Sequence, residues 1–113
     1  FMAAGNYDIV IDQGADFALS ITIAEDGVAT NLASHTASAQ LRPTPSSNTL
    51  TATFTCAITD AANGALKMSL GHATTANITA GKYYYDLEIY NSSVDSMSRL
   101  IQGVARVTQN VTR

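Results

Sequence analysis

Apolar and polar residues alternate along most of this chain with a period of two, the pattern of extended strands that bury one face. The clearest run sets Phe17, Leu19, Ile21 and Ile23 against Ala18, Ser20, Thr22 and Ala24. A shorter run, residues 7–12, sets Tyr7, Ile9 and Ile11 against Asp8, Val10 and Asp12, and Gln13-Gly14-Ala15-Asp16 breaks it. Glu25-Asp26-Gly27 predicts a hairpin turn, with glycine available for positive φ, and residues 28–32 return from it as a short strand.

The middle of the chain repeats the theme. In residues 37–42, Ala37, Ala39 and Leu41 face one way, and Pro43 and Pro45 stop the strand because proline cannot donate to a central ladder. Residues 50–58 form the longest predicted strand, with Leu50, Ala52, Phe54, Cys56 and Ile58 inward. That segment has no charge, proline or glycine, so it must be central or have its edge occupied in an assembly. Asp60-Ala-Ala-Asn-Gly64 turns the chain into residues 66–70, and residues 73–78 allow one helical turn. Residues 83–90 and 97–108 make a closing hairpin, in which Gly103 predicts a bulge or a close backbone approach.

Turn signals recur at the spacing of a sandwich or barrel, and no helical run is long enough for βαβ units. The expectation is one all-β domain over residues 7–113, an antiparallel Ig-like β-sandwich of seven to eight strands. Residues 1–6 are expected to be a flexible N-terminus, with Met2 as the natural start and Phe1 an addition before it.

Composition narrows the function classes. Charged residues make up 13% of the 113, about half the usual share, and Thr, Ser, Ala and Asn take their places. Such a surface repels neighbours weakly and suits contact with other protein. The net charge is −3 and the six basic residues are scattered, so no nucleic-acid footprint is expected. Neither a signal peptide nor a bilayer-spanning run is legible, which predicts no membrane partner. A single cysteine, Cys56, fits synthesis in a reducing compartment.

Candidate chemistry is sparse. His35, His72 and Cys56 lack metal-ligand spacing, and no Gly-x-Ser-x-Gly elbow occurs, so neither a cofactor, a metal nor an enzyme activity is expected. Asp8, Asp12 and Asp16 are too far apart along an extended chain to act as an acid/base pair, and read as solvated charges near a sheet edge. Asp86 and Glu88 alternate with Tyr85, Leu87 and Ile89 and belong to an outer face. Tyr83, Tyr84 and Tyr85, with Asn91, form the one candidate interaction surface, because tyrosine is favoured at interfaces.

Four segments carry a family resemblance: Asp12-Gln-Gly-Ala-Asp-Phe-Ala-Leu-Ser-Ile-Thr-Ile23, Ala37-Ser-Ala-Gln-Leu-Arg-Pro43, Ala80-Gly-Lys-Tyr-Tyr-Tyr-Asp-Leu-Glu-Ile89 and Arg99-Leu-Ile-Gln-Gly-Val-Ala-Arg-Val-Thr108. In this order, and with Val111-Thr112-Arg113 after them, they resemble small Ig-like β-sandwich structural proteins of tailed bacteriophages and prophages. His35 departs from that pattern, standing where similar sequences place tyrosine. The resemblance implies a virion component associated with tail, baseplate, fibre or neck, made in the host bacterial cytoplasm. Its partners would be other virion proteins or further copies of itself, and no catalytic residues carry over. A carbohydrate- or host-receptor-binding β-sandwich is the alternative, with Tyr83–Tyr85 and Asn91 as its platform.

Overall fold

A computed structural model describes residues 5–25 and 27–111. Ten strands are present: β1 (Gly5–Asn6), β2 (Ile9–Asp12), β3 (Phe17–Thr22), β4 (Ala24–Glu25), β5 (Val28–Ala29), β6 (His35–Arg42), β7 (Ala52–Asp60), β8 (Ala65–Leu70), β9 (Gly81–Asn91) and β10 (Ser96–Thr108). Helix is confined to a 3₁₀ turn, Ala61–Asn63, and one α turn, α1 (His72–Thr75), among the described residues. The protein is all-β, as the period-2 pattern predicts.

The strands form one curled sheet in the order β1-β10-β9-β6-β7-β8-β3, and β2 also lies on the outer edge of β10. β4 and β5 pair only with each other, as a small hairpin. Gly27 in its turn adopts φ 80°, the conformation for which a glycine was expected there, while Asp26 lies outside the described residues. The sheet is mixed and not purely antiparallel, because β1 and β2 both run parallel to β10. Alternation fixes which face of a strand is buried, but it does not encode the direction of the neighbouring strand. Of the segment expected to be a flexible start, Gly5 and Asn6 pair with Ile101 and Gln102, and Met2 lies outside the described residues.

β7 produces the curl. Its first residues, Ala52 to Phe54, pair with β6, and from Thr55 onward it pairs with β8. One strand therefore belongs to two halves of the sheet that fold over a shared core. The strand predicted to be central is central. It begins two residues late, because Thr51 N–H still bonds Leu41 C=O in the connection, and Leu50 is exposed instead of inward. Cys56 and Ile58, also expected inward, are half-buried.

The inward rows meet as a single core. Leu41 of β6, Met68 of β8, Leu87 of β9 and Ile11 of β2 have no exposed surface at all. Phe54 bridges the halves, edge-on to Phe17 at 6.0 Å and to Tyr85 at 6.3 Å between ring centroids. Such edge contacts suit the ring quadrupoles and add to the area buried. The return strand after Gly27 is shorter than expected, ending at Ala29. Thr30 N–H bonds Ile23 C=O and Leu32 N–H bonds Ala61 C=O, which turns the chain and buries Leu32.

Candidate functional site

β9 settles the fate of the tyrosine cluster. Its odd-numbered residues face the core, so Tyr85 is buried and Tyr83 packs half-buried against the core. The Tyr83 hydroxyl donates to Thr79 C=O at 2.6 Å, and the Tyr85 hydroxyl donates to Tyr7 C=O. Burial is the largest cause that pushes the Tyr85 phenol up to about 12, with Asp8 and Tyr7 adding to it. Tyr84 alone of the three lies on the outer face. Asn91 is seven residues further along the strand, where its Oδ1 accepts from Ser93 N–H at 3.0 Å. The four residues expected to form one surface are therefore not brought together.

Tyr84 and Tyr85 both line a groove of about 730 Å³ on the outer face of the sheet, and the Tyr84 side chain lies on that face. Three cross-strand rungs make its floor. Glu88 and Arg99 form the first, Gln40, Asp86 and Gln102 the second, and Arg42, Tyr84 and Val104 the third. Asn6 and Asp8 line one side and Pro45 the other. A strand rise of about 3.3 Å puts alternate residues of β9 roughly 7 Å apart, so Tyr84, Asp86 and Glu88 form an evenly spaced row.

Both guanidinium groups are committed within the groove. Arg42 donates to Gln40 Oε1 at 2.8 Å and to Ser47 C=O at 3.3 Å. Arg99 lies 3.3 Å from Asp86 Oδ2 and donates to Gln102 Oε1 at 3.1 Å. Asp86 is thereby the ion-pair partner of Arg99. The Lys82 ammonium sits 5.4 Å from the centre of the Tyr84 ring, within cation–π range. The result is a bed of planar polar groups with one aromatic ring, suited to contact with a polar or polyhydroxylated surface.

The remaining candidates occupy separate places. His35 opens β6 beside Asn91, with its Nδ1 2.9 Å from Ala33 C=O. His72 stands beyond the far end of β8, where Asp16 Oδ1 accepts its backbone N–H at 2.7 Å and meets its Nδ1 at 2.9 Å. The His72 backbone hydrogen bond, and then its ring, hold the Asp16 carboxyl below its ordinary value. Cys56 is half-buried in β7, and burial raises its thiol pKa. Among the described residues, no three His, Cys, Asp or Glu side chains converge as metal ligands would.

Asp8, in the link between β1 and β2, and Asp12, the last residue of β2, lie exposed at the sheet edge, and each has a structural partner there. Asp8 Oδ1 accepts from Val104 N–H at 3.0 Å, and Asp12 Oδ1 accepts from the Thr108 hydroxyl at 2.8 Å. Gln40, Arg42, Arg99 and Gln102 are groove residues that the sequence reading missed. The two-residue spacing of Gln40 and Arg42 was an available signal. Arg99 and Gln102 are three apart and share a face only through the register shift between Arg99 and Ile101, and no spacing could say which strands adjoin. No protein-family model matches this chain, and no curated protein matches it.

Proposed function

We propose that this chain is a non-catalytic structural and assembly module of a tailed-phage virion, associated with its tail, baseplate, fibre or neck. On this reading the curled sheet is an Ig-like sandwich, with β2, β10, β9 and β6 in one layer and β3, β8 and part of β7 in the other. The likeness of residues 12–23, 37–43, 80–89 and 99–108 to such proteins supports it. The observation that carries it is the border strand β3, which pairs only with β8 among the described residues and has no charged residue or proline. Monomeric proteins usually guard such an edge, and an assembling protein uses it. The purified chain is expected to self-associate, or to bind a protein encoded by a flanking gene, at micromolar concentration. A strict monomer that binds none of those proteins overturns the proposal.

A second reading, a carbohydrate- or host-receptor-binding module, is favoured by the groove itself. Its aromatic ring beside carboxylate, amide and guanidinium groups is the usual equipment for holding a sugar. A glycan array separates the readings: specific binding that disappears in Tyr84→Ala selects the second. An array with no binder leaves the assembly reading alone.

A further inference from the structure

We propose that β3 pairs antiparallel with β3 of a second copy of this chain, about a two-fold axis normal to the sheet. The inference rests on the assembly reading above and names the partner. It would join two curled sheets edge to edge through Phe17–Thr22.

The edge is regular and bare. β3 and β8 stay in register over all six residues, from Phe17 opposite Leu70 to Thr22 opposite Ala65, without a bulge. No charge, proline or glycine interrupts the strand. The other border differs, since Asp8 and Asp12 stand exposed beside β10. Two copies meeting there would oppose carboxylates. A β3 edge set against that border would offer those carboxylates no cation. Charge thus favours β3 on β3 over either alternative.

The core under β3 is also incompletely covered. Phe17, Leu19 and Ile21 face inward yet remain half-exposed, whereas Leu66, Met68 and Leu70 on β8 are 1%, 0% and 4% exposed. An added strand would continue the sheet over that row and remove apolar surface from water.

Symmetry then restricts the register. A two-fold axis normal to the sheet keeps inward residues opposite inward residues, so the axis must pass through a residue. Placed at Leu19 or Ser20, it opposes Leu19 to itself or to the partner's Ile21. With the axis at Ser20, Ala18 meets the partner's Thr22 and Ser20 meets itself, all small and uncharged on the outer face. With it at Leu19, Ala18 meets Ser20 and Thr22 meets the partner's Asp16. In either register Asp16 is kept apart from the partner's Asp16.

Sedimentation velocity on a dilution series tests this, using the full chain. The wild type is expected to show a reversible monomer–dimer equilibrium in the micromolar range. Ser20→Lys and Ser20→Glu alter an exposed outer-face side chain, and an unchanged Tm at a dilution where the wild type is monomeric checks their folding. Each alone should weaken association about fivefold or more, by setting like charges together. An equimolar mixture of the two should restore it. Hydrogen exchange of amides 17–22 should slow as concentration rises. A wild type that stays monomeric at about 100 μM overturns the inference. So does protection of residues 17–22 that appears only on adding another virion protein. Dimerisation unchanged in both variants also overturns it, while leaving the assembly reading intact with a different surface.

Discussion

The hydroxyl of Tyr85 donates to the carbonyl of Tyr7, tying strand β9 to the β1–β2 segment across the whole width of β10. That carbonyl falls at the gap between β1 and β2, where it makes no ladder bond. Tyr85→Phe keeps the ring that packs against Phe54 and deletes only the donor. Losing a hydrogen bond at this part-buried site costs about 1 kcal/mol, and urea denaturation should show a loss of that size with an unchanged slope.

Gly103 makes the contact sterically possible. It lies in register with Tyr85, and a Cβ built on it would collide with the Tyr7 carbonyl oxygen and stand 2.8 Å from the carbonyl carbon. Gly103→Ala should therefore push the β1–β2 segment off β10 at a cost of about 2 kcal/mol. Faster hydrogen exchange at Tyr7, whose N–H bonds Gln102 C=O at 2.9 Å, would locate the damage. Normal exchange there together with a wild-type Tm would refute the steric account.

Alkaline pH should weaken the fold through the same phenol. The Tyr85 hydroxyl holds its proton to about 12 in the folded protein, against 10.0 for a free tyrosine. Below pH 10.0 both states keep the proton and the contribution is intact. As pH rises from there toward 12 the unfolded chain releases it first, so the native state binds more protons and stability declines. Tyr90 is raised as well, by its hydrogen bond to Asp95, so part of the decline is shared. The urea midpoint of Tyr85→Phe should fall less than that of the wild type over this window. Equal falls would mean that Tyr85 is not the linked group.

These contacts show where the sequence stops being informative. Alternation along Phe17–Thr22 and along residues 83–90 reports burial directly, since each buried side chain must be apolar. Gly103 was legible as a close approach because glycine inside a strand has few other reasons to be there, although the register shift itself falls between Arg99 and Ile101. Partner identity was not legible. Tyr85 satisfies a carbonyl 78 positions away, and Arg42, Tyr84 and Val104 share a rung only because β6, β9 and β10 adjoin. Nothing local specifies such neighbours, which is why the candidate surface shared only Tyr84 and Tyr85 with the groove. Thr55 is equally silent about the switch of partner that begins at it.

Thr75 offers the sharpest test of how β2 and β3 are held at their corner. It has no exposed surface, and it is the sole buried polar side chain among the described residues. Its Oγ1 accepts from Gly14 N–H at 3.1 Å and donates to Ala15 C=O at 2.8 Å. Gln13 braces the same turn, donating to Ile78 C=O at 2.9 Å and accepting from Asn110 N–H at 3.0 Å. Thr75→Val preserves shape and strands two backbone groups, so it should cost about 2 kcal/mol or more. Thr75→Ser keeps the hydroxyl and loses only a methyl, for about 1 kcal/mol. A valine variant no less stable than the serine variant would mean that packing, and not the hydroxyl, secures the turn into β3.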